Sequence, residues 1–211
     1  GLASGKSLGE GIKAMEDIGK KLLDPSFSTA LSGPSRDFKE SSSNVGFAFI
    51  LALILIFLIL AAQFESFSDP IIIMITVPLA MAGALFSLWF LNLTINIFSQ
   101  IGMIILIGLV TKNGILIVDF ANKKRMLGIE KNVAILEAAT QRMRPILMTS
   151  LAMALGALPL ALSFGAASPS RVPLGVVIIG GIIFALLLTL FIVPAMYLFL
   201  SSKKDPINED L

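Results

Sequence analysis

The amino-acid sequence predicts an all-α polytopic membrane bundle of about five transmembrane helices, preceded by a short α/β tail of a water-soluble domain. Three observations lead there. Of 211 residues, 56% are hydrophobic and only 14% charged, more apolar surface than a soluble domain of this size carries. The apolar residues fall into runs of about 20, the length that crosses a bilayer as a helix. Residues 1–40 stand apart, being charged, amphipathic and free of such runs.

In that first stretch, SLGEGIKAMEDIGKKLL opens with Ser7 and Glu10 in a capping-box pattern, which satisfies the free amides of a helix start. Ile12, Met15, Ile18 and Leu22 then recur at helical spacing. Asp24-Pro25 ends the helix, and FSTALSG offers a short strand with Phe27, Thr29 and Leu31 on one face. One helix and one strand enclose no core. Residues 1–40 therefore read as the remnant of a soluble domain that continues upstream, and the polar run SRDFKESSSN, residues 35–44, as its tether to the membrane.

Five spans are expected at about 44–62, 70–91, 96–121, 145–164 and 172–200, with residues 201–211 as a tail. The loop after the third span holds Lys123, Lys124, Arg125, Lys131, Arg142 and Arg144, and the tail holds Lys203 and Lys204. The loop after the fourth span holds Arg171 alone. The positive-inside rule then puts the third-span loop and the C-terminus in the cytoplasm, and an odd number of spans puts the N-terminal piece outside. Trp89 and Tyr197 fall at the outer and inner interfaces, where amphipathic rings settle. Ala80 with Ala84, Ala152 with Gly156, and Gly175 with Gly180 and Gly181 are spaced for close helix approach. Pro78, Pro159 and Pro194 are expected to interrupt spans. No internal repeat is visible.

Composition also excludes. There is no cysteine and no histidine, which removes thiol chemistry, the usual acid/base group near neutral pH and the commonest metal ligand. No nucleophile stands beside a base, so neither an enzyme nor a metal or organic cofactor is expected. A net charge of +2, with the basic residues clustered in a loop, leaves no nucleic-acid footprint. No signal-peptide pattern follows Gly1. The chain is expected to be a piece of a longer protein.

The informative stretch is GLVTKNGILIVDF, residues 108–120, where a lysine sits deep in an apolar run. On the predicted boundaries Lys112 lies roughly 13 Å from the inner end of its span, further than an easy snorkel. A lysine at the bilayer centre costs about 2.5–3.5 kcal/mol on insertion scales. Asp119 shares its face but lies about 10 Å along the axis, too far for an ion pair. Glu65, Asp69, Glu130 and Glu137 are all expected in loops. A charged, buried Lys112 thus needs a carboxylate from a segment outside this chain, and intramembrane ionisable groups generally mark ion or proton paths.

At these residues the sequence resembles a known family. GLVTKNGILIVDFAN, then RMRPILMTSLAMALGALPLAL, and later RVPLGVVIIGG with a closing VPAMY resemble the C-terminal membrane half of resistance-nodulation-division (RND) multidrug efflux pumps. LAAQFESFSDPIIIMITVPLAMAGAL resembles the family's cytoplasmic link between two spans, and GLASGKSLGEGIKAMEDI the last part of its periplasmic porter domain. The KN dipeptide resembles the hydrophobic and amphiphilic drug branch rather than the metal-ion branch.

The resemblance implies a proton-driven homotrimer of the inner (cytoplasmic) membrane, with these five spans the last of twelve and residues 1–40 periplasmic. It implies that Lys112 faces an aspartate pair supplied by the N-terminal half of the pump, and that Arg142 and Thr149 belong to the same proton relay. Protons are the coupling ion and no cofactor is implied. Amphiphilic drugs are the implied substrates, and a periplasmic adaptor and an outer-membrane channel the implied partners. Asn113 and Asp119 are left a minor relay or packing role. From the residues alone, Arg142 reads equally well as a positive-inside arginine, and Thr149 as a hydroxyl bonded to its own helix.

Two rival readings stand beside this one. A channel or structural membrane-assembly module without proton coupling is the alternative, although an anion pore needs a ring of lysines around an axis. ASGKS near the start suggests a phosphate-binding loop, but Gly1 is one residue too close to Gly5 for that motif. Without the N-terminal half, the chain is expected to be inert as a transporter.

Overall fold

A computed structural model describes residues 8–24, 26–164 and 168–201. Ser7, the ASGKS stretch, Lys203 and Lys204 lie outside the described residues. The helices run in the order α1 (Leu8–Leu22), α2 (Pro34–Phe64), α3 (Ser68–Met74), α4 (Thr76–Phe90), α5 (Ile97–Met126), α6 (Lys131–Ala161) and α7 (Ser168–Leu200). Five segments are long and apolar enough to cross a membrane: Val45–Phe64, Ser68–Phe90, Ile97–Met126, Lys131–Ala161 and Arg171–Leu200. The all-α bundle of five spans is therefore what the chain forms.

The helices run further than the apolar runs. α5 ends at Met126 and α6 begins at Lys131, so the expected long basic loop shrinks to residues 127–130, with Gly128 turning at φ 83°. Lys123, Lys124 and Arg125 form the last turn of α5, where positive charge suits the negative end of the helix dipole. Lys131, Arg142 and Arg144 lie on α6. Hydropathy marks where a helix crosses lipid, whereas Lys, Arg and Glu extend helices as readily as Leu does. For the same reason residues 35–44, expected as a tether, are helical and continuous with α2.

The strand expected near Phe27 does not form. No strand occurs among the described residues, because a lone extended segment has no edge to supply its ladder hydrogen bonds. The second span does break, at Ile75 between α3 and α4. Pro78 explains the position: it donates no amide hydrogen to the carbonyl of Met74 four residues back, and its ring crowds that carbonyl. Pro159 and Pro194, by contrast, sit inside uninterrupted helices.

α7 is the central helix, packing against α3, α4, α5 and α6. Glycine decides how closely. A β-carbon on Gly175 would lie 2.4 Å from the backbone nitrogen of Ala161, and one on Gly180 would lie 1.8 Å from Ser87 Oγ. Gly181 likewise receives Leu106. Ala80 and Ala84 are buried as expected. Ala152 and Gly156 are not interface residues within this chain; both face outward from α6, and nothing lies within 4 Å of a β-carbon built on Gly156.

The core has two layers. One, at the end where α5 meets α6, gathers Leu60, Phe64, Ile72, Ile73, Ile117, Ile135, Ile146 and Tyr197. The other gathers Ala84, Leu88, Met103, Leu106, Val110, Val177 and Ile182. α2 reaches only the first layer, through Leu60 and Phe64, and its span is 6% buried against 56% for α5.

Candidate functional site on the α5–α6 face

Asn96 starts α5 with a capping box: its side chain accepts from Ser99 N at 2.8 Å, and Ser99 Oγ accepts from Asn96 N at 2.9 Å. From there the helix runs unbroken past Lys112, which stands fourteen residues before Met126, about 20 Å at the helical rise. Lys112 is exposed, on the outward face of the bundle with Ile101, Ile105 and Gly108. It has no hydrogen-bond or ion-pair partner among the described residues. One turn away on α5, a β-carbon on Gly108 would meet nothing within 4 Å.

The next residue points the other way. Asn113 is 2% exposed, and its Nδ2 donates a 3.0 Å hydrogen bond to Ser150 Oγ on α6. Beside Ser150, Thr149 is half-buried and its Oγ1 donates to Ile146 O of its own helix at 3.3 Å. The pairs Lys124–Glu137 and Asn113–Ser150 separate in sequence with distance from the connection, so α5 and α6 run antiparallel. The sequence-predicted Lys112, Asn113 and Thr149 are thus brought to one level of one helix pair.

Arg142 and Asp119 lie at another level, nearer the α5–α6 connection. The Arg142 guanidinium stands 4.4 Å from the centroid of the Phe120 ring, within cation–π range, and its buried Nε lacks a hydrogen-bond partner among the described residues. Asp119 pairs with Lys123 at 2.8 Å on the same helix. It does not reach Lys112, as the spacing required.

A second polar cluster was missed by the sequence reading. Asp69, expected in a loop, lies in α3 and is 1% exposed. Asn122 Nδ2 donates to Asp69 Oδ2 at 2.7 Å, and Tyr197 Oη donates to Asn122 Oδ1 at 2.6 Å. Arg125 Nη1 donates to Ser201 Oγ at 2.9 Å and more weakly to Tyr197 Oη at 3.4 Å. Tyr197 is therefore not at an interface with lipid headgroups; it is fully buried, its hydroxyl spent inside the protein. Glu137, also expected in a loop, lies in α6 and pairs with Lys124. These carboxylates sit within helices because the helices outrun the apolar runs. The Asp69-Pro70 start signal was the available clue, since proline is favoured in a first helical turn.

Asp69 does not neutralise Lys112. Its donor Asn122 lies ten residues beyond Lys112 on α5, about 15 Å along the axis. The outward lysine has no acidic partner among the described residues.

Comparison with known proteins is consistent across the chain. A family model described as the AcrB/AcrD/AcrF family matches residues 1–201. An uncharacterized transporter of Haemophilus influenzae (strain ATCC 51907 / DSM 11121 / KW20 / Rd) is 39% identical over 210 residues, which cover 96% of this chain and 20% of that protein. The chain thus spans about a fifth of that relative's length.

Proposed function

From the chain's membership of the AcrB/AcrD/AcrF family of RND transporters, we propose that it is the C-terminal membrane portion of a proton-driven multidrug exporter and carries the lysine side of its proton relay. One observation carries this reading: Lys112 stands exposed in mid-span, without a carboxylate partner among the described residues. An ammonium group left in hydrocarbon is costly. A helix bearing an aspartate pair, packed on this face, removes that cost.

The chemistry follows from pairing. While the carboxylates are ionised they attract Lys112 and hold one helix packing. Protonation removes the attraction, and the helices are released to a second packing. Thr149, now bonded to Ile146 O, is placed to turn its hydroxyl to whichever carboxylate is charged. Arg142, held over Phe120, sets a positive potential on the proton's route toward the α5–α6 connection. In this reading that connection is cytoplasmic, residues 8–33 are periplasmic, and the whole transporter is an inner-membrane trimer. It exports amphiphilic drugs through a periplasmic adaptor and an outer-membrane channel.

The test is Lys112→Met in the complete transporter, assayed for drug export in cells and for proton-coupled export in proteoliposomes. Export should be lost with the protein still inserted at normal levels. Full export by that variant removes the role.

A further inference from the structure

Asn113 is buried, yet only half of its amide is used: Nδ2 bonds Ser150 Oγ while Oδ1 has no partner among the described residues. A leucine or valine would fill this position without a stranded acceptor, and a buried acceptor without a donor is destabilising. In some helix pairs a single buried asparagine fixes register at a cost in stability, because its bond holds at one rotation of the helices and not at others. We propose that Asn113 and Ser150 act as a rotational pin between α5 and α6 that sets the direction in which Lys112 and Thr149 are presented. The proposal rests on the relay reading of Lys112 and names positioning residues for it.

The geometry makes the pin specific. Successive residues on a helix are turned by about 100°. With Asn113 aimed at α6, Lys112 is turned away by that angle, and it is indeed exposed. With Ser150 aimed at α5, Thr149 is turned by the same angle on its own helix. Since the helices are antiparallel, the two turns carry Lys112 and Thr149 to the same side of the α5–α6 contact. A single hydrogen bond therefore orients both groups, and a rotation of α5 that broke it would swing Lys112 off the outward face it shares with Ile105 and Gly108. The other charged groups on these helices are engaged elsewhere: Asp119 with Lys123, Lys124 with Glu137, Arg125 with Ser201, Lys131 with Leu198 O and Ser201 O, and Arg142 on Phe120. Arg144 is exposed.

The experiment compares Asn113→Ala, Ser150→Ala, the double variant and the exchange Asn113→Ser with Ser150→Asn in the complete transporter, alongside Lys112→Met. Drug export and its pH profile are read in proteoliposomes at matched protein content. Each single variant should lose roughly tenfold in export, as misplacing a positioned group does, and shift the pH profile. The double variant should be no worse than either single. The exchange, which restores a hydrogen-bonding pair of the same total volume, should recover both export and profile. Additive singles, an unmoved pH profile, or an exchange as impaired as the singles would overturn the pin while Lys112→Met remained inactive. An active Lys112→Met would instead sink the relay reading and the pin with it.

Discussion

Asn122 on α5 donates a 2.7 Å hydrogen bond to the carboxylate of Asp69 on α3, joining the first turn of one helix to a late turn of another across 53 residues of sequence. Asn122 also accepts from Tyr197 of α7, so one amide ties three helices at the end of the bundle where α5 meets α6. Beside it Lys131 donates to Leu198 O at 2.7 Å and Ser201 O at 2.9 Å. Those carbonyls end α7, and a helix end leaves its last carbonyls without intrahelical donors.

Disrupting this cluster should be graded by how strong the bonds of each residue are, the 3.4 Å contact of Tyr197 with Arg125 being the weakest. Asn122→Ala removes the donor to Asp69 and the acceptor for Tyr197, and should destabilise by about 1–3 kcal/mol. Tyr197→Phe removes a hydroxyl alone and should cost about 1 kcal/mol or less, since hydrogen bonds between membrane helices average about 0.6 kcal/mol. Reversible unfolding in mixed detergent micelles measures both. Equal losses would contradict the central place of Asn122.

Two glycine substitutions should behave oppositely. In Gly175→Ala the new carbon would lie 2.4 Å from Ala161 N and 2.9 Å from Ala161 Cα. Backbone must shift, so α6–α7 packing should weaken by about 1–3 kcal/mol. Gly156→Ala meets open space and should leave the stability of this chain unchanged or slightly raised, alanine being the better helix former. In the complete transporter Gly156→Ala should lower export if a neighbouring helix packs there. Thermal unfolding of the chain and export by the whole protein separate the two effects.

Thr149→Val should separate fold from function. The Thr149 hydroxyl bonds only Ile146 O of its own helix among the described residues, and valine keeps the shape of threonine. Stability should change by no more than about 0.5 kcal/mol, while proton-coupled export should fall. A large loss of stability would assign the hydroxyl a structural role instead.

The docking of α1 on α2 should depend on pH. The hydrogen bond from Lys39, and then its charge, hold the Glu16 carboxyl below its ordinary 4.5. A group whose value is lowered by folding contributes above its unfolded value, and the contribution fades as pH falls through the folded one. The contact should therefore be fully present at neutral pH and loosen as pH falls below 4.5. The pair is largely exposed, so the effect should be small and weakened by salt. Spin-label distances between α1 and α2 at several pH values report it, and Glu16→Gln should remove the pH dependence.

The sequence by itself determined the five apolar spans, the helix at Leu8–Leu22 and the isolation of Lys112 from Asp119. All of these rest on local quantities: run length, periodicity and the rise of a helix along its axis. The tertiary structure alone decided where polar side chains point. It turned Asn113 inward and Lys112 outward, buried Asp69 and Tyr197, and left Ala152 and Gly156 on the surface where their spacing suggested an interface. A span that is apolar on every side carries no moment to say which face is core. Only the neighbouring helix, by accepting a hydrogen bond or admitting a glycine, chooses it.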